Sequence, residues 1–226
     1  MIHSSFLQGK QGECFRLLDE HFDEIRQEYL NKQDKIFLDP EDFSDGVRGL
    51  ADDFSDTDHP GDYVKGDWRA LGISSGDHEG QSYEDFPTLY NILRQFPYKT
   101  NVAFMVVGPN TSIGTHKDDE GGWRFQMCFD DGGGDDSGMY YQDIETKEKR
   151  LHTFKTGNQF AFKPGEQPHN GFNRNPGERL TLLIDFFKES EYTPEAYESY
   201  LKNYDEKFEG LKELAELYES RKQQKS

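Results

Sequence analysis

Hydrophobic positions recur with two different periods along this chain, and the change of period divides it. Between residues 11 and 30, Phe15, Leu18, Phe22, Ile25 and Tyr29 fall at three- and four-residue steps, which predicts an amphipathic helix laid on a larger body. The run from Phe86 to Phe96 predicts a short helix with Pro87 in its first turn and Leu89, Ile92, Leu93 and Phe96 facing inward. From residue 99 the pattern is that of strands. Asn101–Val107 and Trp123–Phe129 are β runs, and further strands are expected at Met139–Ile144, Arg150–Phe154, Gln159–Lys163 and Leu180–Phe187. Short strands so closely spaced predict a closed or double-sheet β architecture. Thr193-Pro194 then offers an N-cap and a first-turn proline. Behind it Tyr197, Leu201, Tyr204, Phe208, Leu211, Leu214 and Tyr218 form a stripe at helical spacing, expected to pack on the sheet or on a second copy of the chain as a homodimer.

Between the first helix and the strands, residues 33–80 show little periodicity and are rich in Asp, Gly and Ser. They are expected to act as a lid, with Gly66–Ile73 as one candidate strand. Asp130–Gly138 is acidic and glycine-rich but lacks the spaced ligands and closing Glu of an EF-hand, so it reads as a solvated hairpin loop. No linker separates two bodies. The expectation is a single domain over 1–226, with N-terminal helices and the lid-like segment in 1–98, a β core in 99–188, and a C-terminal helix or helix pair in 189–226.

Composition narrows the class. Only 33% of the 226 residues are hydrophobic, but 18 Phe and 12 Tyr provide the bulk of a packed core. A net charge of −18 argues against nucleic-acid or anionic-membrane partners, which need clustered Lys and Arg. Two isolated cysteines, Cys14 and Cys128, make neither a disulfide framework nor a zinc knuckle. No basic-then-apolar leader and no bilayer-length apolar run is present, so a cytoplasmic protein is expected.

The candidate chemistry lies between Gly108 and Phe187. His116 and Asp118 stand two apart, so a strand or its extension turns both to one side, and His169 arrives from a later strand. Two imidazoles and one carboxylate on one face suit a mononuclear non-haem Fe(II) with open positions for a chelating substrate and O2. Alone the pattern is weak: His21-Phe22-Asp23 repeats it within the predicted first helix, where such residues do not share a face. The single-residue alternatives are a turn histidine for His116 and a surface histidine for His169. Arg179 adds weight, because an arginine opening an apolar strand is costly unless it meets an anion, and its planar fork suits a carboxylate. Arg124 is a second candidate for an anion, with a salt bridge to Asp or Glu as its alternative.

In order along the chain stand Gly66-Asp-Trp-Arg-Ala-Leu71, Phe86-Pro-Thr-Leu89, the run from Phe104 to His116, Arg124-Phe-Gln126, and His169 followed by Arg179 and a closing strand. This series resembles the aspartyl/asparaginyl β-hydroxylase family of Fe(II)- and 2-oxoglutarate-dependent oxygenases, over roughly residues 66–187. The resemblance implies a mainly β fold with flanking helices around a double-stranded β-helix, the jelly-roll or cupin-like core. It implies Fe(II) on His116 and His169 and the far carboxylate of 2-oxoglutarate on Arg179, with Arg124 and Gln126 near the co-substrate's other end. Two departures stand out. Asp118 completes a three-ligand site, as in bacterial relatives acting on small molecules, and Met105 occupies the position of a serine that helps hold 2-oxoglutarate in the peptide hydroxylases. The expected activity is therefore hydroxylation of a small molecule such as a free amino acid, using O2 and, in vitro, ascorbate as reductant. The alternatives are an Asp/Asn hydroxylase of peptides and a cupin-like binding module or isomerase using Zn or Mn. Trp123, Tyr140, Tyr141 and Asn170 are the expected substrate-pocket walls.

Overall fold

A computed structural model of the chain describes residues 9–35, 37, 64–74, 84–95, 100–118 and 123–186. The expected C-terminal helix, most of the lid-like segment and Phe96 lie outside these residues.

The N-terminal amphipathic pattern folds as two helices, α1 (Gly9–Glu20) and α2 (Phe22–Asn31), broken at His21, whose backbone leaves helical geometry at φ −103° and ψ 24°. Phe15, Leu18, Ile25 and Tyr29 are all buried, as their spacing predicts. The third helix, α3 (Pro87–Leu93), begins at the expected proline and buries Leu89, Ile92 and Leu93, together with Tyr90. Its N-cap residue, Phe86, has no side chain able to take the orphan amides. Glu28 of α2 supplies one instead, accepting the Thr88 N–H at 2.6 Å and the Leu89 N–H at 3.3 Å. Tyr90 donates its hydroxyl to the Ile73 carbonyl at 2.5 Å, tying α3 to the sheet beneath.

Ten strands follow: β1 (Val64–Lys65), β2 (Trp68–Ser74), β3 (Thr100–Val107), β4 (Thr111–His116), β5 (Trp123–Asp131), β6 (Ser137–Gln142), β7 (Lys149–Thr153), β8 (Gln159–Phe162), β9 (His169–Asn173) and β10 (Arg179–Phe186). They form two antiparallel five-stranded sheets in the orders β2-β3-β10-β5-β8 and β1-β4-β9-β6-β7. From β3 to β10 the chain passes back and forth between the sheets. This gives the two interleaved Greek keys of a double-stranded β-helix, with β2 and β1 added at the edges. Residues 64–74, inside the segment expected to be a lid, are thus part of both sheets. Gly66 carries the chain from one to the other at φ +105°, in a corner where the Asp67 N–H meets the Thr111 hydroxyl at 2.9 Å.

Alternation along the strands separates two interiors. Phe125, Met127 and Phe129 of β5, Leu180, Leu182 and Ile184 of β10, and Val102, Phe104 and Val106 of β3 join the helices in the main core. The intervening residues face the space between the sheets. There Cys128, Met139, Phe154, Phe160 and Phe162 form one apolar cluster, and Trp68, Ala70, Val107 and Ile113 form another. Arg124, Gln126, Arg179, Thr181 and Asp185 share this inner face by parity, and it is there that the chemistry collects.

Candidate metal centre

Strands β4 and β9 pair so that His116 and His169 are direct partners across the ladder, one at the end of its strand and one at the start. Both side chains are buried, at 6% and 4% exposure, so neither is a surface or loop histidine. Their rings stand 4.2 Å apart. Each Nδ1 lies against a carbonyl two residues back, His116 on Gly114 O at 2.8 Å and His169 on Gln167 O at 2.9 Å. A ring whose Nδ1–H is donated to a carbonyl presents Nε2 as a bare lone pair, the tautomer a metal requires. Both Nε2 atoms face Asp118 Oδ1, at 3.4 and 3.8 Å. Among the described residues, His116, Asp118 and His169 form the one group of potential metal ligands of this kind, with ligand atoms all within 4.8 Å of one another. The decoy, His21, instead sits at a helix junction with its Nδ1 3.7 Å from Glu24.

The loop before His169 is tightly made. Gln167 donates its amide to Gln142 O at 2.6 Å and accepts the Lys163 N–H at 2.8 Å. The Asp118 N–H reaches Pro164 O in the same loop at 3.2 Å, which ties the carboxylate ligand to the approach of the second histidine. Electrostatics keep the donor set ready for a cation. Burial alone would raise the Asp118 carboxyl, but the Arg124 guanidinium and the two imidazoles outweigh it and hold the group well below the usual carboxylate range. Burial, reinforced by His116, lowers His169 to about 3, so it is neutral at physiological pH.

Arg179 is 3% exposed. Its Nη1 donates to Phe172 O at 2.9 Å, Ser137 Oγ at 3.1 Å and Gly138 O at 3.4 Å, and its guanidinium lies 4.2 Å from the Phe154 ring centroid. These partners are all neutral. No carboxylate among the described residues pairs with it, and its buried Nε has no protein partner. Burial pulls it down to about 10, still charged at neutral pH. An uncompensated buried cation costs several kcal/mol, so its retention points to an anion other than those of the described residues. Gly171 leaves the approach open: a Cβ there would stand 3.9 Å from Arg179 Nη2. Gly171 is one same-face step, roughly 7 Å, along β9 from His169. The donor set and the orphaned Nε therefore both fit iron and 2-oxoglutarate.

Arg124 lies on Asp118 and Asp185, with Nη2 2.7 Å from Asp118 Oδ2 and Nε 2.5 Å from Asp185 Oδ1, so its contacts are carboxylates of the chain itself. Gln126 is buried with Oε1 unpartnered on the same inner face. Thr181, also buried with an unpartnered hydroxyl, went unnoticed in the sequence. Its position two residues after Arg179 was the available signal, and the sheet register sets it beside Met105. Of the expected walls, Tyr141 faces inward, packing 5.0 Å from Phe160 with His169 as its strand partner. Tyr140, one residue earlier, turns outward to Phe172 and Lys149. Asn170 is spent on the Tyr140 N–H at 2.9 Å, and Trp123 packs on the helix side of β5. The structure does not bring these last three to the metal group, because strand parity turns each of them away.

A family model for aspartyl/asparaginyl beta-hydroxylase matches residues 19–189. The chain belongs to the aspartyl/asparaginyl β-hydroxylase family. No curated protein sequence matches it. Solved structures with partial likeness include a Pseudomonas putida prolyl-4-hydroxylase (16% identity, 77% of this chain and 87% of that one, TM-score 0.42). A Cupin 2 conserved barrel domain protein from Salinispora arenicola overlaps over 54% of this chain and 77% of its own (13%, 0.34). Peruvianin-I, a cysteine peptidase from Thevetia peruviana latex, overlaps over 53% of this chain (13%, 0.36), which spans 61% of that protein's length. At these scores the fold assignment rests on the strand order, and the family assignment on the family model. For this family member, the metal group and Arg179 lie within the matched residues.

Proposed function

We propose that this protein is an Fe(II)- and 2-oxoglutarate-dependent dioxygenase that hydroxylates an unactivated C–H bond of a small molecule, a free amino acid or a derivative of one. The observation that carries the reading is a buried Arg179 with no carboxylate partner among the described residues, beside Gly171, which is one same-face step along β9 from His169 of the His-Asp-His group. A metal-binding cupin without a dicarboxylate co-substrate has no use for such a cation.

Iron held there with 2-oxoglutarate and O2 would supply the oxidising chemistry that converts C–H to C–OH, with succinate and CO2 as co-products. The chain's own part is binding, orientation and exclusion of water. His116, Asp118 and His169 would hold the ion from one side and leave the opposite positions open. Arg179, its Nη1 fixed by Ser137 and two carbonyls, would anchor the distal carboxylate. The unpartnered Thr181 hydroxyl and Gln126 amide oxygen are further polar groups on the same wall. Met139, Phe154, Phe160 and Phe162 form an apolar cluster against Arg179 and His169, a low-dielectric setting that would strengthen each of these interactions.

Asp118 as a third ligand and Met105 in place of a serine both favour a small substrate over a peptide. The discriminating experiment is substrate-stimulated succinate release measured across free amino acids and Asp- or Asn-containing peptides. Stimulation by a free amino acid is expected; stimulation by peptides alone would overturn the small-molecule reading.

A further inference from the structure

We infer that Asp185 is a positioning residue for the metal centre, acting through Arg124 to fix which oxygen of Asp118 is offered to the ion. This rests on the metal reading above and names residues beyond the ligands.

The geometry is a chain of three charges across two strands and a loop. Asp185 on β10 and Arg124 on β5 are direct register partners on the inner face. Asp185 grips the guanidinium with both oxygens, Oδ1 to Nε at 2.5 Å and Oδ2 to Nη2 at 2.8 Å. The same Nη2 reaches Asp118 Oδ2 at 2.7 Å. Only Asp118 Oδ1 remains, and it is the oxygen that faces both imidazoles.

A carboxylate free at both oxygens can bind a metal through one or two of them. Here Oδ2 is engaged by a planar donor whose own plane is fixed by a two-point bond to a strand residue, so Asp118 can contribute one donor. A one-point carboxylate and two imidazoles leave half of an octahedron free, enough for a two-point 2-oxo acid and O2 together; a two-point carboxylate would take one of those places. Lysine could not replace Arg124, since a single ammonium cannot hold the side-on bond to Asp185 and reach Asp118 in fixed directions.

The test is Co(II) titration of the metal-free protein, followed by visible absorption and calorimetry, with 2-oxoglutarate then added to the loaded protein. Asp185→Asn is isosteric and keeps an acceptor for Nε. The double variant Arg124→Met with Asp185→Leu removes both charges, so neither is left buried alone. Asp185→Asn is expected to fold with a metal-free thermal midpoint near wild type, and the double variant, whose Asp118 loses its guanidinium partner, to fold with a lower one; both should lose about 10- to 100-fold in Co(II) affinity, as loss of a residue orienting a ligand does. The Co(II) spectrum should change with it, because the carboxylate's binding mode changes; a merely structural residue would leave the spectrum alone. Wild-type affinity and spectrum in either folded variant would overturn the proposal. Wild-type protein that binds neither Co(II) nor 2-oxoglutarate would overturn the underlying metal reading instead.

Discussion

His116 and His169 are direct partners across the β4–β9 ladder, and each donates or shares its Nδ1 with a carbonyl two residues before it, so both Nε2 atoms converge on Asp118 Oδ1. The convergence of these three donors is therefore built into the sheet register. Replacing either histidine by alanine should reduce Co(II) affinity by about 100-fold or more, at least as much as the loss of an orienting neighbour. Titration of the metal-free variants measures this. Undiminished affinity in His169→Ala would remove β9 from the site.

Arg179 should show opposite effects on stability and binding. Arg179→Met keeps the bulk and removes a buried charge without a carboxylate partner, so the metal-free protein should melt at the same temperature or higher. Binding of 2-oxoglutarate to the same variant should weaken by about 2–5 kcal/mol, or at least roughly 30-fold. A lower melting point with intact binding would identify Arg179 as a structural residue.

Stability of the metal-free protein should fall on acidification through the histidines. Burial lowers His152 from 6.5 to about 4 and His169 from 6.5 to about 3. A folded-state value below the unfolded one means that unfolding takes up a proton. The stabilising contribution is complete above about 6.5 and is lost progressively as pH drops toward the folded-state values. His152 stacks on Phe160 at 4.3 Å inside an apolar cluster, so His152→Phe fits the space. It should flatten the pH dependence between pH 6 and 4 by up to about 1.4 kcal/mol per pH unit. Urea unfolding at several pH values tests this, and an unchanged slope would contradict it.

Glu28→Ala removes the cap that α2 lends to α3. A loss of about 1–2 kcal/mol is expected in chemical denaturation, with metal affinity unchanged because Glu28 lies on the helix side of the sheet. No loss of stability would mean that solvent serves those amides equally well.

The sequence showed the parts of the fold that bury apolar residues. β3, β5 and β10 announced themselves because one face of each packs on the helices through Val, Phe, Met, Leu and Ile. The strands that carry the two histidines were expected only from the chemistry of the site and not marked by hydrophobic periodicity. Thr111–His116 and His169–Asn173 each contain one large hydrophobic, Ile113 and Phe172, because they bury polar side chains such as Thr115, His116, His169 and Asn173 rather than an apolar core face. The meeting of His116, Asp118 and His169 and the burial of Arg179 were legible from spacing and chemistry. The surroundings were not, since a one-residue difference in where a strand begins decides that Tyr141 faces the pocket and Tyr140 the outside. The partnership of Arg124 with Asp118 and Asp185 depends on cross-strand register between segments far apart in the chain, which periodicity within either segment does not encode.

The central claim is that the His-Asp-His group and Arg179 together bind a metal-chelated 2-oxo acid. Anaerobic addition of 2-oxoglutarate to Fe(II)-loaded protein tests it most directly, because an Fe(II)–2-oxo acid chelate absorbs visible light by charge transfer and the separate components do not. The band should appear with wild-type protein, vanish with chelator, and fail to form at the same concentrations with Arg179→Met. Wild-type protein that shows no band and binds no 2-oxoglutarate by calorimetry would contradict the account.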